Sequence, residues 1–385
     1  MTTVLLSGGG THNVGAYLLS MAAASAARQH MGADRIAVPL AQGSLVTALG
    51  PDGGRCRWLR GNRWNGRPFP RVAVNTWRVP VDAEIEPRDV DVVIDVSGFA
   101  YGAPWPARTG RRLARDLRYW HRRGARYVLA PQSYGPLGAI GPAARRTLAE
   151  QLPRALVFAR EASGVEHLRA VAPMADVVLA DDIVLLWPVE QLRRVVGLDQ
   201  RRATHRGLVV PNQMVVESGA APVDEHVRTC VAVAEEMRSR ELEPVVLVAA
   251  TQDVDLAREI ATRAGVEMVR PPSMADTVAE VAGADLVWSS RYHCSLIALK
   301  MARPVVSVGW SVKYRALHEL FSSPTCFAPA DVLGAPQVAA ACDASRAPVV
   351  EPTTLVERHG ALWAQVAEFA VGRQPAPAGE RRLHG

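Results

Sequence analysis

Residues 284–320 alternate between apolar runs typical of β-strands and segments with helical spacing, and this alternation constrains the fold more than any other feature. The predicted strands are Asp285–Ser289 and Pro304–Val308, followed by predicted helices at Cys294–Ala302 and Tyr314–Phe321. A strand–helix–strand–helix unit is the building block of a parallel sheet. The stretch therefore predicts an α/β fold.

The same alternation extends along most of the chain. The further predicted strands are 3–7, 35–40, 91–96, 126–130, 155–159, 177–180, 207–211, 244–249 and 266–269, and the further helices are 16–30, 107–123, 142–152, 224–239, 253–263, 273–282 and 353–371. Residues 187–206 carry Pro188 and many charges without a clear period, which is typical of a link between domains. A chain of 385 residues, 49% of them hydrophobic, can bury two cores. We therefore expect two Rossmann-like βα domains facing a crevice.

These patterns set the predicted domain boundaries. The amino-terminal domain covers 1–186, the second domain covers 207–330, a helix follows at 353–371, and 372–385 is expected to be a disordered tail. Trp58, Trp64 and Trp77 lie in an irregular stretch, 50–80, that either binds sugar rings or only anchors a loop.

Composition excludes several classes of protein. No apolar run approaches the roughly eighteen residues that span a bilayer, and the first residues predict a β-strand rather than a signal peptide. Five cysteines lie far apart without a CxxC pair, which fits a cytoplasmic location and gives no zinc signature. The net charge of +6 comes from arginines spread along the chain. We read it as a solvated surface that attracts an anionic substrate, and we expect no nucleic-acid partner.

Two polar clusters follow the strands of the 284–320 unit. They are Ser289–His293 and Ser311–Lys313, which include Ser290, Arg291 and the imidazole of His293. Ligands of parallel sheets bind beyond the carboxyl ends of the strands, near the starts of the following helices. The clusters therefore predict a site for a small substrate that carries a carboxylate and a phosphate.

Two further loops leave alternatives open. Gly8–Gly15 follows the first strand and is either a phosphate cradle or a tight turn between strand and helix. Asp181 and Asp182 follow the strand at 177–180 and could hold a metal or act as a base. Helix capping or a clamp within the loop is the better interpretation, because no other carboxylate lies close in sequence.

Several of these segments together resemble the polysaccharide pyruvyl transferase family. The matching residues are Gly10, Asn13 and Gly15; Gln132, Ser133, Gly135 and Pro136; Arg160, Glu161 and Ser163; Ala180, Asp181 and Asp182; and Arg291, His293, Pro304, Val305, Val306 and Lys313. The resemblance spans residues 4–320 and implies the two-domain fold of GT-B glycosyltransferases, with the 353–371 helix packing back on the first domain. Ala16 departs from the family, which usually has an acidic residue at that position.

The implied activity is transfer of pyruvate from phosphoenolpyruvate onto sugar hydroxyls, commonly as a cyclic ketal. His293 is the expected general acid. Arg160, Arg291 and Lys313 are expected to bind the donor's anionic groups and to converge with His293 on one crevice. The other expected substrate-binding residues are Ser290, Asn13, Gly15, Gln132, Ser133, Asp181 and Asp182. No metal or cofactor is required, because phosphoenolpyruvate is itself the donor substrate.

The resemblance places the donor on the second domain and the acceptor on the first. The acceptor is a saccharide, a glycolipid or a small molecule with hydroxyl groups, and peripheral contact with a membrane is compatible with the sequence. Two other functions stay open. One is a GT-B glycosyltransferase that uses a nucleotide sugar, and the other is a non-catalytic glycan-binding relative.

Overall fold

The computed structural model divides the chain into two compact units. The first comprises Met1–Thr11, Ala16–Trp187 and Val356–Gly385, and the second comprises His12–Gly15 and Pro188–Leu355. The residues described are 2–39, 45, 49, 53–56, 84–198, 205–309, 311–331, 334–345 and 352–372. The three tryptophans of the 50–80 stretch and the tail from residue 373 lie outside them.

The secondary structure alternates strands and helices throughout the described residues. The strands are β1 Thr2–Ser7, β2 Ala33–Pro39, β3 Gly53–Cys56, β4 Glu84–Ile85, β5 Val92–Asp95, β6 Phe99–Tyr101, β7 Arg126–Tyr134, β8 Leu156–Ala159, β9 Val177–Leu179, β10 Arg206–Val210, β11 Glu243–Leu247, β12 Glu267–Val269, β13 Leu286–Ser289, β14 Val305–Val308 and β15 Cys326–Phe327. The helices are α1 Val14–Met31, α2 Arg108–His121, α3 Pro142–Gln151, α4 Ala162–Arg169, α5 Ile183–Leu186, α6 Val189–Val196, α7 Gln213–Glu217, α8 Val223–Ser239, α9 Val254–Ala264, α10 Met274–Gly283, α11 Tyr292–Lys300, α12 Val312–Leu320, α13 Ala335–Ala344 and α14 Thr354–Ala370.

The first unit is built on a parallel sheet. Among the described residues its strand order is β4-β3-β2-β1-β5-β7-β8-β9, and β6 pairs with β7. The central strand β5 aligns Val93 with Leu5 of β1 and with Tyr127 of β7, and all four of its residues are buried. Strands that are covered on both faces have continuous apolar sequences. For this reason β5 could be predicted from the sequence.

Helix α14 packs within the first unit. The Arg358 guanidinium pairs with Asp181 at 3.2 Å, and the Arg126 guanidinium lies 5.4 Å from the centre of the Phe369 ring. Leu362 and Trp363 of the same helix are almost completely buried. An apolar stripe on this helix therefore completes the core of the amino-terminal sheet, although the helix is far away in sequence.

The second unit is a smaller parallel sheet. Among the described residues its order is β12-β11-β10-β13-β14-β15. Its core includes Val209, Val246, Trp288 and Val306, which lie on four neighbouring strands. The predicted α/β class with two Rossmann-like domains is thus confirmed. No helix in the described ranges is both long and apolar enough to cross a bilayer.

Several elements differ from the sequence prediction. Helix α6 occupies part of the predicted link, because Leu192 and Val196 are buried one turn apart and Gly197 ends the helix with a positive φ of 70°. The elements that were not predicted are helix α13, the short helices α5 and α7, and the short strands β3, β4, β6 and β15. Helix α11 begins two residues before the predicted start, which places His293 in its first turn rather than in a loop.

Candidate functional site

The candidate site of the second unit lies at the carboxyl edge of its sheet. Strand β13 ends at Ser289 and is followed by Ser290, Arg291 and His293, whereas β14 ends before the segment that carries Lys313. Because the strands are parallel, their carboxyl ends meet at one edge. The sheet order also brings the loop after β11, with Asp253, to this edge.

Arg291 is paired with a carboxylate that sequence reasoning missed. Its Nε donates to Asp253 Oδ2 at 2.8 Å and its Nη2 donates to Oδ1, so the two side chains form a bidentate pair. The Asp253 side chain is 0% exposed and the Arg291 side chain 15%. Asp253 Oδ1 also accepts from the backbone N–H of Gln213 at 3.0 Å. Asp253 therefore compensates the positive charge on one side of the guanidinium and fixes the orientation of the group.

His293 packs against the chain near the amino terminus. A Cβ atom at Gly15 would lie 2.4 Å from His293 Nδ1 and 2.9 Å from Cε1, so only glycine leaves room for the ring there. The segment before Gly15 is held by an antiparallel bridge between Asn13 and Ala250, and by a hydrogen bond of 3.0 Å from the N–H of Val14 to the Ala249 carbonyl. Asn13 and Gly15 thus belong to the same unit as His293.

Two tyrosines connect the remaining residues of this edge. The Lys313 ammonium lies 5.3 Å from the centre of the Tyr292 ring and 5.8 Å from that of Tyr314. The Tyr292 ring meets the ring of His293 edge to face at 5.2 Å. The Tyr314 hydroxyl donates to the Ser290 carbonyl at 2.7 Å, which ties α12 to the end of β13. Aromatic faces attract ammonium groups, so Tyr292 and Tyr314 hold Lys313 close to the edge.

His12 lies near the Arg291 guanidinium. It keeps an exposed edge, yet neighbouring protein atoms that displace water lower its pKa, and the positive charge of Arg291 lowers it further. A neutral His12 adds no second cation beside Arg291 at neutral pH.

The first unit gathers a separate polar network at the carboxyl edge of its own sheet. Arg160 pairs with Asp182, and its Nη2 donates to Ser133 Oγ at 3.0 Å and to the Gly98 carbonyl at 3.1 Å. Ser133 Oγ donates in turn to Glu161 at 2.8 Å. The Arg160 side chain is only 9% exposed. Arg160 therefore holds three loop ends together.

The two aspartates after β9 have structural partners. Asp182 caps α5 by accepting from the N–H of Val184 at 2.8 Å, besides pairing with Arg160. Asp181 pairs with Arg358 of the carboxyl-terminal helix. These contacts agree with the interpretation of this pair as a cap and a clamp.

The glycines after β1 are required by close packing. A Cβ at Gly8 would lie 2.0 Å from Ser97 Oγ, and one at Gly9 would lie 1.9 Å from Ser20 Oγ. The chain's own hydroxyls fill the space beside both glycines, which favours the tight-turn interpretation over the phosphate cradle.

A buried carboxylate lies beneath the network of the first unit. Asp95 accepts from the hydroxyls of Tyr101 and Tyr127 at 2.7 and 3.0 Å. Tyr134 is also buried, and burial, followed by the nearby Asp95 carboxylate, raises the pKa of its hydroxyl well above its usual value. Gln132 is completely buried in the same strand as Tyr134.

The predicted residues thus divide between the two units. Asn13, Gly15, Ser290, Arg291, His293 and Lys313 lie in the second unit, and Gln132, Ser133, Arg160, Asp181 and Asp182 lie in the first. The convergence of Arg160 with the three donor-side residues stays a prediction. Sequence reasoning missed Asp253 and Asp95. Asp95 ends strand β5 and Asp253 follows strand β11, and the other site residues were found from such positions.

Similar proteins indicate the fold and the family. A putative UDP-N-acetylglucosamine 2-epimerase from Listeria monocytogenes has a TM-score of 0.56 at 11% identity, covering 96% of this chain and 97% of that chain. The S. aureus MnaA–UDP co-structure has a TM-score of 0.56 at 10% identity, covering 98% and 100%. At these identities the likeness shows the fold alone, which is GT-B-like with two Rossmann-like domains.

No curated protein matches the sequence. The profile of the polysaccharide pyruvyl transferase family matches residues 13–312, well over half of the chain. The matched range includes the Arg160 network, Arg291 and His293, and it ends one residue before Lys313. The chain therefore belongs to the polysaccharide pyruvyl transferase family and is a transferase.

Proposed function

We propose that this transferase moves pyruvate from phosphoenolpyruvate onto hydroxyls of a saccharide or glycoconjugate, as a cyclic ketal, with release of phosphate. The observation that carries the proposal is the edge of the second unit, where a fixed guanidinium, an imidazole and an ammonium follow neighbouring strands. Family membership supports the transfer of a pyruvyl group, and the chemistry of these three side chains supports the donor.

Arg291 suits an anionic donor despite its pairing with Asp253. A guanidinium carries five N–H groups, of which Asp253 engages two, the Nε–H and one on Nη2. The remaining three N–H groups include both on Nη1. Because Asp253 fixes the guanidinium plane, the directions of these three N–H groups are fixed as well. A preoriented fork of this kind binds a carboxylate or a phosphate bidentately. Lys313, on the next loop, supplies a mobile point charge for the second anionic group.

His293 supplies the proton that starts the reaction. The C2 atom of phosphoenolpyruvate becomes electrophilic when C3 is protonated, so an imidazolium near the methylene acts as the general acid. The first acceptor hydroxyl then forms a bond to C2, and the C2–O bond to phosphate breaks with its electron pair leaving on phosphate. A second hydroxyl closes the ketal. The two hydroxyl protons pass to the neutral imidazole and to phosphate or solvent.

The first unit is the proposed acceptor side. Its polar edge is held together by the Arg160 network, which joins the loop after β5 to the end of β7. Ala16, where relatives usually carry an acidic residue, is buried at 8% exposure in the first turns of α1. The alanine at this position is consistent with an acceptor that does not need a carboxylate there for binding.

The test is release of phosphate from phosphoenolpyruvate in the presence of a panel of saccharides and glycolipids, with mass spectrometry of the acceptor. The proposal expects phosphate release that depends on acceptor, together with an acceptor that gains a pyruvyl group. Thermal protection by UDP or GDP, without protection by phosphoenolpyruvate, would instead support a glycosyltransferase. Binding of acceptor without any phosphate release would support a glycan-binding protein.

A further inference from the structure

Helix α2 of the first unit carries a continuous row of arginines on its outer face. Its inner face buries Leu113, Ala114, Leu117 and Trp120 against the core of the sheet. The outer residues, called the arginine stripe below, are exposed and follow each other at steps of three and four: Arg108, Arg111, Arg115, Arg118 and Arg122. These steps match the helical period, so the five side chains project along one line. With 14 residues in the helix, the line is about 21 Å long.

The stripe has few internal partners. Among the described residues, the one carboxylate within ion-pair distance of it is Glu150, 3.6 Å from Arg118, and both of these side chains are about half exposed. The helix's own acidic residue, Asp116, points inward and is 5% exposed. Four guanidinium groups of the stripe therefore face solvent without a carboxylate partner in the part of the chain that the structure describes.

The stability of the helix does not explain the stripe. Arginines three and four residues apart repel each other along a helix. The first turn of α2 has no acidic residue, and Arg108 lies there, where the helix dipole disfavours a cation. Arg118 is favoured by the dipole in the last turn, but the repulsion along the row and the cation in the first turn both oppose helix stability. An external anionic partner would offset both costs.

The shape of the surface indicates which kind of anion it meets. The stripe is an exposed row on the outer face of a helix, so it suits an extended, flat array of negative charge. Trp105 precedes the helix, is 37% exposed, and stacks edge to face on Phe99 at 5.9 Å. Tryptophan prefers the headgroup level of a bilayer. Tyr119 borders the stripe, but it packs against the core and Arg123 lies 3.6 Å from the centre of its ring. Single-stranded nucleic acid is usually bound on aromatic faces that are open to stacking bases.

We propose that the arginine stripe docks this protein on the surface of an anionic lipid bilayer, with the guanidinium groups on phospholipid phosphates and Trp105 at the headgroups. The helix follows β6 and the Gly98 loop, so the amino end of the stripe begins at the same sheet edge as the Arg160 network. Docking would hold that edge near a lipid-borne acceptor. The binding argument itself does not depend on the proposed function.

The test is co-sedimentation of the full-length protein with vesicles of phosphatidylglycerol mixed with phosphatidylcholine, and with vesicles of phosphatidylcholine alone. The variant replaces Arg108, Arg111 and Arg115 by Gln. Each basic residue near an anionic surface contributes about 1 kcal/mol, so binding should weaken by about 100-fold. Thermal stability should stay equal or rise slightly, because repulsion is removed. The matched control replaces the exposed Arg228, Arg258 and Arg263 of α8 and α9 by Gln and should bind like the unmodified protein.

The proposal expects binding to the anionic vesicles alone, and a strong loss of it when the salt concentration rises from about 0.1 M to about 1 M. Equal binding by the stripe variant and the control variant would overturn it, as would equal binding to both kinds of vesicle. Absence of vesicle binding together with stripe-dependent binding of RNA or of an anionic polysaccharide would overturn it in favour of that polymer.

Discussion

Replacing Asp253 by Asn isolates the ion pair that fixes Arg291. The carboxylate is completely buried and accepts three hydrogen bonds, two from Arg291 and one from the N–H of Gln213. Asparagine keeps one acceptor oxygen but turns an NH₂ group towards the guanidinium, so a donor faces a donor. Removal of one partner of a buried ion pair costs roughly 3–5 kcal/mol. Because the Arg291 side chain is 15% exposed and water can reach it, we expect the lower end, about 3 kcal/mol.

The assay is urea unfolding of Asp253→Asn, Arg291→Gln and the double variant, combined as a double-mutant cycle. A direct interaction between the two residues should give a coupling energy of about 2 kcal/mol. Asp255→Asn is the matched control, since Asp255 lies two residues away, pairs with Arg258 at 2.6 Å and has a side chain 95% exposed. An exposed pair contributes about 0–1 kcal/mol, so this control should change little.

A coupling energy below about 0.5 kcal/mol, which is the limit for independent sites, would refute the reasoning. It would mean that Arg291 does not depend on Asp253 for its position. Equal destabilisation by Asp253→Asn and Asp255→Asn would refute it as well, because burial would then have no influence on the energy of these pairs.

Three further predictions follow from the second unit. Gly15→Ala would force the His293 ring out of its place, since the new Cβ lies 2.4 Å from Nδ1, and should lower turnover by about 10²-fold; Gly360→Ala, with no atom within 4 Å, is its control in the same rate assay. His293→Gln removes the general acid and should lower turnover by ~10²–10⁴-fold while calorimetry shows nearly unchanged phosphoenolpyruvate binding; near-normal turnover would place the acid elsewhere. Burial lowers the pKa of His318 from 6.5 to about 4, so the folded state favours the neutral imidazole. The contribution of this group to the free energy of unfolding is complete above pH 6.5 and is lost as the pH falls towards 4. Urea unfolding at several pH values should therefore show that His318→Gln loses less free energy of unfolding as the pH falls, by up to about 3 kcal/mol. His226, whose pKa is also lowered to about 4, still contributes its own pH dependence in this variant. An unchanged dependence of the unfolding free energy on pH would contradict this.

The sequence alone determined the fold class and the places where functional side chains occur. Period and apolar runs are local properties, so strands such as β5 and β13 could be recognised from a few residues. A polar residue directly after an apolar strand lies at the carboxyl edge of a parallel sheet whatever the strand order is. For this reason Ser290, Arg291 and His293 could be assigned to an edge without a structure.

The tertiary structure decided which of these side chains meet. Asp253 follows β11 and Arg291 follows β13, 38 positions later, and they pair because β10 lies between the two strands and brings both loops to one edge. Likewise, the need for glycine at position 15 depends on the ring of His293, more than 270 positions away. Strand order and side-chain packing arise from contacts between distant segments, and local periodicity carries no information about them.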